Sequence, residues 1–158
     1  MPIDIAARPS SIPWPLILLA AALIGALLLG WLVPVPWPGV DDVPARVIGY
    51  GFGVAGAALI AWALTVFGRF KANVWPTRAA TIVLTSGPFR IWRNPLYMGE
   101  ILLLLGAAQV LCNVWFVLAA AVFAVAVLNL AIVPEEAHLE AKFGDDYLRY
   151  KARSRRWF

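Results

Sequence analysis

Leu16 to Val33 is an unbroken apolar run without a single charge. About 20 residues of helix are needed to cross roughly 30 Å of hydrocarbon, and this run with its flanks is long enough. Three more apolar stretches follow, at 47–67, 96–111 and 114–133. A chain built this way must satisfy its backbone inside each segment, so helices are the only economical choice. The expected fold is therefore all-α: an integral membrane bundle of about four transmembrane helices. The chain has 158 residues, 62% hydrophobic and 14% charged, against about 45–50% and about 25% in soluble domains. That length allows one compact bundle rather than two domains.

Punctuation between the runs is clear. Pro34, Pro36 and Pro38 end the first, and Trp31 and Trp37 suit the interface. Asp41 and Asp42 mark a short acidic loop. Cys112-Asn113 reads as a tight turn between the third and fourth spans. Pro134 is expected to stop or kink the fourth. The tail beyond it is amphipathic, with Leu139 and Phe143 one turn apart, and Gly144 breaks it. The polar leader, residues 1–15, lacks the basic start of a secretory signal.

Gly51, Gly53 and Gly56 spell G-x-G-x-x-G inside the second run. A dinucleotide site requires a preceding strand and a following acid. Here the surroundings are continuous membrane helix, and small residues four apart (Gly49, Gly53, Ala57) read as a helix-packing face. One cysteine and one histidine exclude a disulfide within the chain and a multi-cysteine metal site. No metal is expected. The net charge of +4 comes without a nucleic-acid recognition motif, so the partner is the lipid bilayer.

The cations are unevenly placed. The connection from Gly68 to Asn94 holds Arg69, Lys71, Arg78, Arg90 and Arg93 with no acid. The tail holds Lys142, Arg149, Lys151, Arg153, Arg155 and Arg156, whereas Arg46 stands alone in the other two connections. The positive-inside rule then puts both basic segments and both termini in the cytoplasm. Basic loops of this kind mostly bind acidic headgroups, the reading adopted for Arg69, Lys71, Arg153, Arg155 and Arg156.

Two polar clusters flank the last hairpin, at 81–97 and 134–150. Any site should form where they meet. Asn94-Pro95 marks a helix start, with Asn94 as N-cap and Pro95 in the first turn. Free backbone N–H groups there favour an anion. Glu100 lies about one turn inside the third span. A carboxylate there costs roughly 2.5–3.5 kcal/mol at mid-bilayer and less near the interface. It is either paired with Arg90 or Arg93, or a site acid facing a cavity.

T-S-G-P-F-R-I-W-R-N-P-L-Y-M-G, from Thr85, resembles the motif S-G-P-Y-x-x-x-R-H-P-x-Y-x-G of the isoprenylcysteine carboxyl methyltransferase and phospholipid methyltransferase group. E-E-A-H-L-E-A-K-F-G-D-D-Y-L-R-Y-K, from Glu135, is similar to that group's closing motif, E-E-x-x-L-x-x-x-F-G-x-x-Y-x-x-Y. The likeness spans about Thr81 to Phe158. It implies a membrane enzyme that uses S-adenosylmethionine, held in a cytosolic pocket, to methylate a lipid-like or small apolar acceptor. Carried over by position, cofactor contacts fall on Thr81, Ile82, Val83, Leu84, Phe89, Asn94, Pro95, Leu96, Tyr97 and Glu135. Glu136 is counted with them, on the adjacent helix face where a tail or loop cation can also reach it. Asn94 and Glu100 are the expected catalytic residues. Two departures stand out. Asn94 replaces a frequent histidine and cannot titrate. Ala131, four residues before Glu135, replaces the arginine with which prenylcysteine enzymes bind substrate. Rival readings are a small multidrug-type transporter working through Glu100 and a non-catalytic membrane scaffold.

Overall fold

The computed structural model describes residues 12–72 and 80–157; most of the polar leader, Arg78 and Phe158 lie outside them. Every regular element among the described residues is helical. Helix α1 spans Trp14–Leu32, α2 Val43–Arg69, α3 Pro95–Val110 and α4 Trp115–Val127. A π turn, Leu128–Ile132, joins α4 to α5, Val133–Phe143. Helix α6 is Asp145–Arg153, and a single 3-10 turn, Gly87–Arg90, precedes α3.

Three helical paths are long and apolar enough to cross a membrane: Trp14–Leu32, Val43–Arg69 and Trp115–Phe143. The outward faces carry large exposed apolar side chains, such as Ile24 and Leu27 on α1, Val47 and Val54 on α2, and Val122 and Val125 on α4. Such faces suit lipid. Helix α3 is shorter, with 16 residues, and at 1.5 Å per residue it covers only about 24 Å. Its N-terminus therefore begins below the level of its neighbours' ends, and the chain before it folds over the mouth of the bundle.

Helix α2 packs along α3, and α4 packs on both α1 and α3. The central core joins Leu104 and Ala108 of α3 to Phe116, Ala120, Phe123 and Val127 of α4, with Ala26 and Ile132. The α2–α3 seam is made of small residues, as the sequence spacing implied. A Cβ on Gly106 would meet the Gly53 nitrogen at 2.7 Å and the Gly49 oxygen at 2.8 Å; one on Gly99 would meet the Gly56 oxygen at 2.8 Å. The obstacles are backbone and cannot rotate away. Gly106→Val should cost at least the about 1–3 kcal/mol typical of overpacking, read as a lower midpoint of thermal unfolding in detergent. Gly51, inside the same G-x-G-x-x-G, has nothing near it and should accept alanine.

The end opposite the site is closed by polar bonds. Asp42 accepts from the Ala45 N–H and caps α2. Arg46 donates twice to Asp41, and this guanidinium holds the Asp41 carboxyl down at about 2. Asn113 donates to the Ala26 carbonyl, and Gln109 to that of Val40.

Pro134 does not end the fourth span. In the π turn Val133 N–H reaches back five residues to the Leu128 carbonyl. That extra residue lets the proline, which has no N–H, sit in the first turn of α5. The helical path continues to Phe143, where Gly144 adopts φ +52° and starts α6.

Candidate functional site

A cavity of about 330 Å³ opens at the end of the bundle where α3 begins. Its apolar walls come from Leu16 of α1, Ile60, Leu64 and Phe67 of α2, and Leu139 of α5. The segment before α3 supplies Thr81, Ile82, Val83 and Leu84, then Phe89 from the 3-10 turn and Asn94, Pro95, Leu96 and Tyr97 from the start of α3. Glu100 and Glu135 complete the set expected from sequence. Residues separated by the whole last hairpin thus share one space. Phe89 is buried in a T-shaped contact with Phe67, at 5.4 Å between centroids. Thr81 and Ile82 remain exposed at the rim.

Glu136 departs from the expectation, because it does not line the cavity. It is 5% exposed and turned to the other side of α5. Arg93 Nε donates to it at 3.0 Å, and Arg156 donates to both of its oxygens, at 3.1 and 2.6 Å. Neighbouring helix residues point about 100° apart, so Glu135 and Glu136 cannot face one space together. The cation that meets Glu136 is buried rather than exposed: Arg93 and Glu136 side chains are 11% and 7% accessible. Arg156 is accordingly a structural partner of Glu136, not a headgroup contact, and this carboxylate raises its pKa.

The same clamp ties the tail across the loop. Arg93 also donates to the Lys151 and Ser154 carbonyls. Its backbone N–H donates to the Arg155 carbonyl at 2.7 Å, and Arg155 N–H donates to that of Ile91 at 2.8 Å. Tyr150 hydroxyl donates to the Phe89 carbonyl at 2.7 Å. Burial pushes the Tyr150 phenol up to about 12, so it holds its proton for that bond. Lys142 reaches the Ala80 carbonyl at 2.7 Å. The tail thereby fixes the backbone of residues 80–93 over the cavity.

Asn94 occupies the N-cap position of α3, but its side chain makes no capping bond. Its Nδ2 is buried without a partner, as are Glu100 Oε2 and His138 Nε2. All three residues line the cavity. Glu100 is not paired with Arg93, whose bonds go to Glu136 and two carbonyls. His138 and Arg93 were missed by sequence reasoning. His138 follows Glu135 at i+3 and precedes Leu139, a spacing that puts all three on one helical face. Ala131 packs against the apolar core instead of the cavity.

Unsatisfied buried polar atoms cost roughly 1–3 kcal/mol each, and three of them belong to residues that line this cavity, a lining that suits a polar ligand. Two carboxyl groups suit its cationic part. Leu96 and Tyr97 N–H groups, which helix geometry leaves without intrahelical partners, suit an anionic part. Phe89, Val83 and Leu84 suit a flat apolar ring. An α-amino acid joined through sulfur to a nucleoside offers those features together, so the residues present fit S-adenosylmethionine.

The family model for phospholipid methyltransferase matches residues 44–146. That is well over half of the chain, and the protein belongs to this family of membrane methyltransferases. It is also 39% identical over 62 residues to an uncharacterized protein of Haemophilus influenzae, a match covering 39% of this chain and 98% of the relative. No solved structure matches.

Proposed function

We propose that this protein transfers a methyl group from S-adenosylmethionine to an acceptor dissolved in the membrane, at a site on the cytosolic side. The observation that carries the reading is that three residues lining one cavity, Asn94, Glu100 and His138, each hold a buried polar atom without a partner. Its setting in a phospholipid methyltransferase family member supports it. The bound cofactor would supply an electrophilic sulfonium methyl, so the protein's work is alignment and exclusion of water.

Each side chain has a stated task. Glu135 holds the ammonium, while Leu96 and Tyr97 N–H groups receive the carboxylate at the start of α3. Phe89, with Val83 and Leu84, flanks the adenine, and Thr81 and Ile82 close the rim. Asn94 orients a ligand through its free amide. Glu100, the cavity residue furthest along α3, faces the acceptor. A prenylcysteine carboxylate fits poorly, because Arg93, the cavity's guanidinium among the described residues, is bound to Glu136 and two carbonyls. A lipid amine or thiol meets no such obstacle.

Vesicles tested with methyl-labelled S-adenosylmethionine separate the alternatives. Inverted vesicles should move label into the lipid fraction, and sealed right-side-out vesicles should not. Label transfer by right-side-out vesicles alone would place the site on the opposite side. No transfer by either, with folded protein and bilayer-forming lipid extract present, would defeat the enzymatic reading.

A further inference from the structure

We infer that His138 is the proton acceptor of the methyl-transfer reaction, an inference that rests on the function proposed above. His138 is 5% exposed, is among the residues that line the cavity, and holds a buried Nε2 without a hydrogen-bond partner. Among the described residues it brings the cavity's only imidazole. Asn94, across the same space, offers an amide that cannot titrate. Tyr150 hydroxyl donates to Phe89, Arg93 is bound to Glu136, and Glu135 meets the ligand's ammonium; Glu100, which faces the acceptor, and Tyr97 also line the cavity.

A thiol, or an amine released as the neutral methylated product, gives up one hydrogen when it gains a methyl. Its lone pair forms the bond to the methyl carbon. The carbon–sulfur bond breaks, and its electron pair stays on sulfur as a neutral thioether. The acceptor's proton passes to Nε2. The positive charge that leaves sulfur then reappears on the imidazolium, in a cavity that also holds the carboxyl groups of Glu100 and Glu135. Imidazole titrates close enough to neutral pH to take the proton and release it again. The charged and titratable groups around it are Glu100 and Tyr97 from α3, Arg93 from the loop, Tyr150 from α6, and Glu135 and Lys142 from its own helix.

The chain's single histidine allows a test on the intact protein that does not depend on turnover. With the imidazole nitrogens labelled with 15N, adding S-adenosylhomocysteine should shift the His138 resonances and alter their titration. Dodecylamine and dodecanethiol serve as probe acceptors. His138→Gln should keep its S-adenosylhomocysteine Kd within about threefold and lose transfer by about 10²–10⁴-fold. The low-pH limb of kcat/KM should vanish with it, and free imidazole should return part of the rate to His138→Ala. Imidazole signals unmoved by a ligand that demonstrably binds would overturn the inference, whether or not either probe is methylated. So would a Gln variant with the wild-type rate and pH profile. Failure of the wild type to bind S-adenosylhomocysteine would instead overturn the parent function, and this role with it.

Discussion

Glu136→Ala is expected to lower the unfolding free energy by about 3–5 kcal/mol, the usual loss when one partner of a buried ion pair is removed. Arg93 is the reason. Its side chain is only 11% accessible, and its Nε–H would be left without the carboxylate it meets at 3.0 Å. Arg156 adds less, because at 36% accessibility water can replace its partner. The damage should reach the cavity, since the Arg93 guanidinium also holds the tail's Lys151 and Ser154 carbonyls. Denaturant unfolding in detergent, with proteolysis of the tail as a local probe, measures both. A change under about 1 kcal/mol would mean that the pair is solvated and worth no more than an exposed one.

Glu135→Gln should behave oppositely, leaving stability nearly unchanged while weakening S-adenosylmethionine binding about ten- to hundredfold. No protein cation pairs with Glu135 among the described residues, so neutralising it strands no buried charge. A charge-assisted bond to the ligand's ammonium is worth roughly 1.5–3 kcal/mol, which gives that range of affinity. Equal dissociation constants for wild type and variant would remove Glu135 from the ligand's surroundings. The two adjacent acids are thus expected to separate by readout: stability for Glu136, ligand affinity for Glu135.

Much of this was legible in the sequence because lipid imposes long, charge-free runs. The spans at 16–33, 47–67 and 96–111 correspond to α1, α2 and α3 within a few residues. The glycine spacing in α2 pointed to the seam with α3 for a steric reason that survives in three dimensions. What was hidden is non-local or depends on register. Pro134 carries an ordinary stop signal, and only the π turn before it absorbs the missing N–H. Arg93, Glu136 and Arg156 are far apart in the chain, so nothing local announced that they meet. Asn94 looked like a capping residue, yet its side chain makes no capping bond and its Nδ2 is without a partner. A lone histidine in a helix reads as packing until the face it shares with Glu135 is seen lining a cavity.

Titration calorimetry of the detergent-purified protein with S-adenosylhomocysteine tests most directly whether this cavity holds the cofactor. Saturable heat from wild type is expected, much weakened in Glu135→Gln and retained in Gly51→Ala, which is remote from the cavity lining. Folded wild-type protein that gives neither heat nor a thermal shift at millimolar ligand would contradict the assignment.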